Sequence, residues 1–178
     1  MIEVVEAQVK ARVGEYIYAV DDENMEEVVA KLLKDNCLTV ACAESCTGGM
    51  LASRLTSISG SSMYIKGSIV TYSNEAKMKF LDVDKEILDT KGAVSPEVAK
   101  QMAEGVRKAV GSDIGVGITG IAGPTGGTDK KPVGLVYIAV AGKDNTVVKE
   151  NIFSYQKRKR FRYFENVFDC VIHYFISL

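Results

Sequence analysis

The chain has 178 residues, enough for one domain with a full core and little room for a second. Its 47% hydrophobic and 25% charged content is ordinary for a globular domain, and a formal net charge of −1 provides no global attraction to nucleic acid or a membrane surface. No apolar stretch is long enough to span a bilayer and no signal-peptide pattern opens the chain. The four cysteines (Cys37, Cys42, Cys46, Cys170) form no CxxC pair, so the expectation is a cytoplasmic protein with reduced thiols.

In chain order, residues 1–20 are weakly patterned and read as a linker, an N-terminal extension or an added strand, with Tyr16-Ile17-Tyr18 the one local β signal. Residues 21–178 read as a single domain. Capping residues from Asp21 to Asn24 introduce an amphipathic helix over Met25–Leu33. A short β-branched, apolar run, Cys37–Ala43, predicts a buried strand, and Met50–Leu55 returns to helical spacing until Ser59-Gly60-Ser61-Ser62 breaks it. Tyr64–Tyr72 predicts a second strand with a possible bulge at Gly67. Ser73-Asn74-Glu75 caps a short helix through Lys77 and Phe80, and another short helix fits 84–90. Ser95-Pro96-Glu97 places a serine N-cap, a proline at the first helical position and an acid in the first turn of a helix running to Val110. Ile114–Thr119 is a strand whose glycines imply close backbone approach. A long glycine loop follows from Gly120 to Lys131. Val133–Val140 and Val147–Phe153 then suggest a hairpin around Gly142–Asn145, and Lys157–Phe175 a final helix. Alternation of strands and helices followed by consecutive strands points to an α/β fold, a three-layer α/β/α sandwich on a mixed, partly parallel sheet.

Chemistry concentrates where strands end. Ala43-Glu44-Ser45-Cys46-Thr47-Gly48-Gly49 leaves backbone N–H groups open at a helix start, a place that suits an anion or a developing oxyanion, and offers Ser45 and Cys46 as nucleophiles. The plain alternative is a tight turn capped by Thr47 or Ser45. Val116–Thr128 is again strand, glycines and hydroxyls, without the Lys-Ser/Thr of a P-loop or the spacing of a dinucleotide fingerprint. Its loop would let amides approach a phosphate or sugar. Tyr72 and Lys77 stand five apart across a third turn. The lone histidine, His173, is remote from every glycine turn, so a Ser-His-Asp triad is disfavoured and a serine nucleophile needs another base. Lys77, with Tyr72 to relay or orient a proton, is the candidate. A thiolate at Cys46 remains the rival. Cys170 and His173 are three apart, but two ligands without a partner cluster make a poor zinc site.

Six segments, Ala43–Gly49, Gly60-Ser61-Ser62, Val70–Lys77, Gly92-Ala93-Val94-Ser95, Thr119–Pro124 and Lys131-Pro132-Val133-Gly134, together resemble the CinA C-terminal domain family, in consistent order over residues 25–155. That resemblance implies an α/β/α fold and a nicotinamide-nucleotide amidase of pyridine-nucleotide recycling, which hydrolyses nicotinamide mononucleotide to nicotinate mononucleotide and ammonia. It further implies Ser45 as nucleophile, Lys77 as general base, Tyr72 as proton-handling partner and Thr119 as a further active-site hydroxyl. Substrate contacts are then expected from Cys46, Thr47, Gly48, Gly49, Thr119, Gly120 and Gly123, with amides near Cys46–Gly49 holding the oxyanion and the Gly120–Thr128 loop gripping the ribose phosphate. No cofactor or metal is needed by such a mechanism; the partners are the nucleotide and further copies of the chain, not a membrane or nucleic acid. The chain departs from the family's Gly-Asp-Arg-like segment, carrying Tyr155-Gln156-Lys157-Arg158-Lys159-Arg160-Phe161-Arg162, where Arg158 is the nearest match for a nucleotide-binding arginine. A non-catalytic nucleotide-binding or regulatory domain is the alternative. Val13–Tyr18 resembles the lead-in to this domain in longer family members, which add an N-terminal domain similar to molybdopterin-binding proteins.

Overall fold

A computed structural model describes residues 2–14, 17 and 22–153. The expected helix over 157–175, Arg158, the Cys170–His173 pair, Tyr16 and Tyr18 lie outside the described residues. The elements are α1 (Ile2–Val13), α2 (Met25–Asp35), β1 (Val40–Glu44), α3 (Met50–Thr56), β2 (Ile65–Val70), α4 (Asn74–Leu81), α5 (Lys85–Lys91), α6 (Pro96–Val110), β3 (Ile114–Gly120), β4 (Leu135–Ala141) and β5 (Thr146–Ile152).

The five strands form one sheet in the order β2-β1-β3-β4-β5. β1 runs parallel to both β2 and β3, while β3, β4 and β5 pair antiparallel, so the sheet is mixed as expected. Alternate side chains of β1 and β3 point to opposite faces. Val40, Cys42, Val116 and Ile118 pack with Val29 and Leu33 of α2 and Leu51 and Leu55 of α3. On the other face, Ala41 and Ala43 pack with Leu81, Leu88, Val98, Met102 and Val106 of α4, α5 and α6. Helices therefore cover both faces, and the carboxyl ends of β2, β1 and β3 lie side by side at one edge. The connections leaving β1 and β3 depart to opposite sides, the arrangement at which open α/β sheets place ligands.

Local signals account for most boundaries. Ser73, Asp84 and Ser95 each accept an N–H bond as N-caps of α4, α5 and α6, and Asn24 and Glu27 form a capping box on α2. The bulge near Gly67 is present: Val40 and Ala41 pair with Ile65 and Gly67, leaving Lys66 as the extra residue.

Two boundaries differ from expectation. Ile2–Val13 is a helix and not an added strand; Glu, Ala, Gln, Lys and Arg make up most of it, and Lys10 pairs with Glu6 one turn away. The first strand begins at Val40 rather than Cys37. Cys37 is exposed with φ 54°, and the bonds Cys37 N–H to Lys34 O and Leu38 N–H to Leu33 O close the end of α2 in a Schellman arrangement, so this apolar run is partly a helix exit.

The glycines of β3 serve close approach, as their spacing suggests. A Cβ on Gly117 would meet Ala99 O at 2.4 Å and Ala103 N at 2.5 Å, and one on Gly115 would meet Ala103 O at 2.0 Å. α6 thus lies directly against β3, with Ala99 and Ala103 at the contact. Gly117→Val should push the helix off the sheet and cost about 3 kcal/mol, lowering the thermal midpoint by roughly 6–12 °C. A fall of less than about 2 °C in a melting experiment would show that the helix–sheet spacing is not what the glycines protect.

Candidate active site

Ser45 is the first residue past β1. Its N–H donates to Ile118 O at 3.1 Å, which continues the β1–β3 register one step and holds the serine at the sheet's carboxyl edge. Thr71 is the first residue past β2, and its N–H donates to Glu44 O at 2.8 Å. Lys77 lies one turn into α4, whose start is fixed by the Ser73 cap. That geometry turns its side chain under the strand ends, where it is 1% exposed.

Lys77 Nζ is 3.1 Å from Ser45 Oγ and donates to Thr71 O at 2.7 Å. Burial is the leading influence on this amine and pushes its pKa below the ordinary lysine range. A thiolate at Cys46 would act the other way, but burial has pushed that thiol up to about 12, so no such charge exists near neutrality. Loss of a proton leaves Lys77 with N–H groups enough to keep Thr71 O satisfied and a lone pair for the Ser45 hydroxyl. The candidate nucleophile, the candidate base and the Thr71 carbonyl are thus in hydrogen-bond contact.

The turn after Ser45 is organised differently from the expectation of an open helix start. Glu44, fully buried at the end of β1, directs its carboxylate onto α3: Gly49 N–H and Leu51 N–H donate to Oε2 at 3.1 Å each, and Ala52 N–H to Oε1 at 2.9 Å. Neither Ser45 nor Thr47 caps the helix; the N-cap residue is Gly49 and the capping group comes from the strand. Gly48 N–H and Met50 N–H bond to Ser45 O and Thr47 O. Of the amides expected to hold an oxyanion, Gly48 and Gly49 are therefore occupied, whereas Cys46 and Thr47 N–H donate to no other residue among those described. The Thr47 and Thr71 hydroxyls, near Ser45 and Lys77 in sequence, are buried with no hydrogen-bond partner among the described residues.

Thr119 follows Ile118 at the same edge, is 1% exposed, and donates its hydroxyl to Ala93 O at 2.7 Å. The hydroxyl thereby pins the turn before α6. Lys131, which sequence reasoning passed over, reaches the same turn: its Nζ donates to Lys91 O and Val94 O at 2.6 Å each. Together they tie the Gly120–Lys131 loop to the α5–α6 turn. Gly120 ends β3 and Gly123 is half-buried, whereas Pro124–Lys130 are exposed. Tyr72 is 77% exposed and makes no hydrogen bond to Ser45 or Lys77. No group of His, Cys, Asp and Glu among the described residues could hold a metal ion, and none of their helices is long and apolar enough to cross a membrane.

The profile of the CinA C-terminal domain matches residues 22–172. The chain belongs to that family. A structure of the competence/damage inducible protein CihA from Agrobacterium tumefaciens superposes with a TM-score of 0.78 and 37% identity, covering 89% of this chain and 98% of that one. A CinA superfamily protein of Klebsiella pneumoniae gives a TM-score of 0.79 at 29% identity, over 87% of this chain and 99% of that one. A provisionally named competence-damage inducible protein of Caldanaerobacter subterraneus subsp. tengcongensis is 53% identical over 175 residues, 98% of this chain and 42% of the relative. The chain thus spans about two fifths of the length of such curated relatives. In this CinA domain the strand-end edge, with Ser45, Thr71, Lys77 and Thr119, is the candidate active site.

Proposed function

We propose that this CinA domain is a Ser–Lys amidohydrolase that cleaves the carboxamide of nicotinamide mononucleotide to nicotinate mononucleotide and ammonia. The observation that carries the reaction type is the 3.1 Å contact between Ser45 Oγ and a Lys77 amine that is 1% exposed and depressed in pKa. The substrate follows from the resemblance to the family, not from the geometry.

Neutral Lys77 takes the Ser45 proton as Oγ attacks the carboxamide carbon. Negative charge develops on the carboxamide oxygen, and the N–H groups of Cys46 and Thr47, which donate to no other residue among those described, are the donors for it. Lys77 returns the proton to the departing nitrogen, which leaves as ammonia, and an ester remains on Ser45. Water, deprotonated by Lys77, attacks the ester; the tetrahedral adduct collapses, Ser45 regains the proton and the carboxylate product leaves. Thr119 shapes the pocket wall through its bond to Ala93, and the Gly120–Thr128 loop together with Arg158 would hold the ribose phosphate. Tyr72 stands at the exposed rim and would meet the substrate from the solvent side.

Purified protein given nicotinamide mononucleotide should release ammonia and nicotinate mononucleotide in equal amounts. Tight binding of the nucleotide without any ammonia would instead favour a non-catalytic binding domain, and the altered Tyr155–Arg162 segment would be the first place to look for the cause.

A further inference from the structure

Resting on the Ser45–Lys77 reading, we propose that Glu44 is a positioning residue that sets the distance between nucleophile and base. It is bonded on both sides of the site. Its carboxylate gathers the N–H groups of Gly49, Leu51 and Ala52, which fixes the far end of the Ser45–Gly49 turn. Its carbonyl accepts Thr71 N–H at 2.8 Å, and the carbonyl of that same Thr71 holds Lys77 Nζ at 2.7 Å. One residue therefore anchors the turn that presents Ser45 Oγ and the loop that presents Lys77.

The account of amides shows why a carboxylate is needed. Between Ser45 and Ala52, Ser45 bonds to β3, Gly48 and Met50 bond within the turn, and Gly49, Leu51 and Ala52 bond to Glu44. Cys46 and Thr47, both beside the nucleophile, donate their N–H groups to no other residue among those described. A side chain with two acceptor oxygens satisfies three donors from one place; an amide side chain offers a single acceptor and sets its NH2 against N–H groups. Because the α3 amides are already neutralised by Glu44, the substrate's phosphate has no seat there, and the free donors are reserved for the reacting carbonyl.

Glu44→Gln should lower kcat about 10²-fold with KM changed less than about threefold, in protein that is folded well above the assay temperature. Labelling of Ser45 by a small alkyl phosphonofluoridate should slow by a similar factor. A Glu44→Gln enzyme with kcat within about threefold of the parent overturns the proposal. Hydrogen exchange on the unmodified protein tests it even if the variant fails to fold: the Gly49, Leu51 and Ala52 amides should exchange at least about 10²-fold more slowly than those of Cys46 and Thr47, and equal rates overturn it. Absence of both turnover and Ser45 labelling in the unmodified protein would sink the Ser–Lys reading itself, while the exchange pattern still judges Glu44's hold on the turn.

Discussion

Replacing Ser45 with alanine should abolish ammonia release from nicotinamide mononucleotide, by at least about 10³-fold in kcat, while Cys46→Ala keeps turnover within about tenfold. The two residues are neighbours in sequence and both lie at the strand-to-helix junction, so their positions alone do not separate them. Their surroundings do. Ser45 Oγ touches the Lys77 amine, whereas Cys46 packs against the core formed with α2 and α3. With its pKa pushed up to about 12, the thiol is ionised in on the order of one molecule in 10⁵ at neutrality. The helix-start effect that lowers thiol pKa values elsewhere is cancelled here by burial and by the Glu44 charge, which also acts to raise it. Turnover measured on both variants decides the matter: loss in Cys46→Ala with survival in Ser45→Ala would reverse the assignment.

Lys77→Met should lower kcat about 10²- to 10⁴-fold and remove the rising, acid-side limb of the pH profile. On the proposed mechanism the neutral amine is the working form, so kcat/KM of the unmodified protein should rise tenfold per pH unit below the Lys77 pKa and level off above it. Burial depresses that pKa, which brings the plateau to a lower pH than an ordinary lysine would allow. The same shift is linked to stability. Because the folded-state value lies below that of the unfolded chain, the unfolded chain binds more protons in the interval between them. Stability from this group is complete above the unfolded pKa and is lost as pH falls through the folded one. Lys77→Met should flatten that part of the stability–pH curve even as it removes activity. A variant that keeps the parent's pH–rate profile would rule out Lys77 as the base, whatever its effect on kcat.

Much of this architecture was legible in the chain because the governing signals are local. Ser73 and Ser95 announced two helix starts through short-range capping, which depends on only a few consecutive residues. The glycines at 115 and 117 announced a close approach, because a strand keeps glycine in its interior mainly where something lies against it. The reading of residues 37–39 as strand failed because a Schellman helix exit also uses an apolar residue just past the helix, and Cys37 stands in the left-handed position where glycine is usual. Residues 2–13 read as weakly patterned because their charged and apolar residues form no pronounced one-sided stripe, although Glu, Ala, Gln, Lys and Arg favour a helix.

The sequence by itself determined which residue types reach the sheet's carboxyl edge: a serine after β1, a threonine after β2, a lysine one turn into α4 and a threonine ending β3. Strand and helix periodicities are enough for that. Tertiary structure alone decided what each does. Proximity across 32 residues joined Lys77 to Ser45. Packing against the sheet, not sequence, buried the amine while leaving Tyr72 at the surface. A carboxylate inside an otherwise apolar strand end was the one available sign of Glu44, and only the fold shows it turned onto the amides of α3, seven and eight residues along for Leu51 and Ala52. Lys131 was marked only as part of a family-like segment and its role left no sign, since its carbonyl partners on the α5–α6 turn are 40 and 37 residues away. Hydrogen bonds of that span are set by how layers stack, and a backbone carbonyl leaves no trace in residue type.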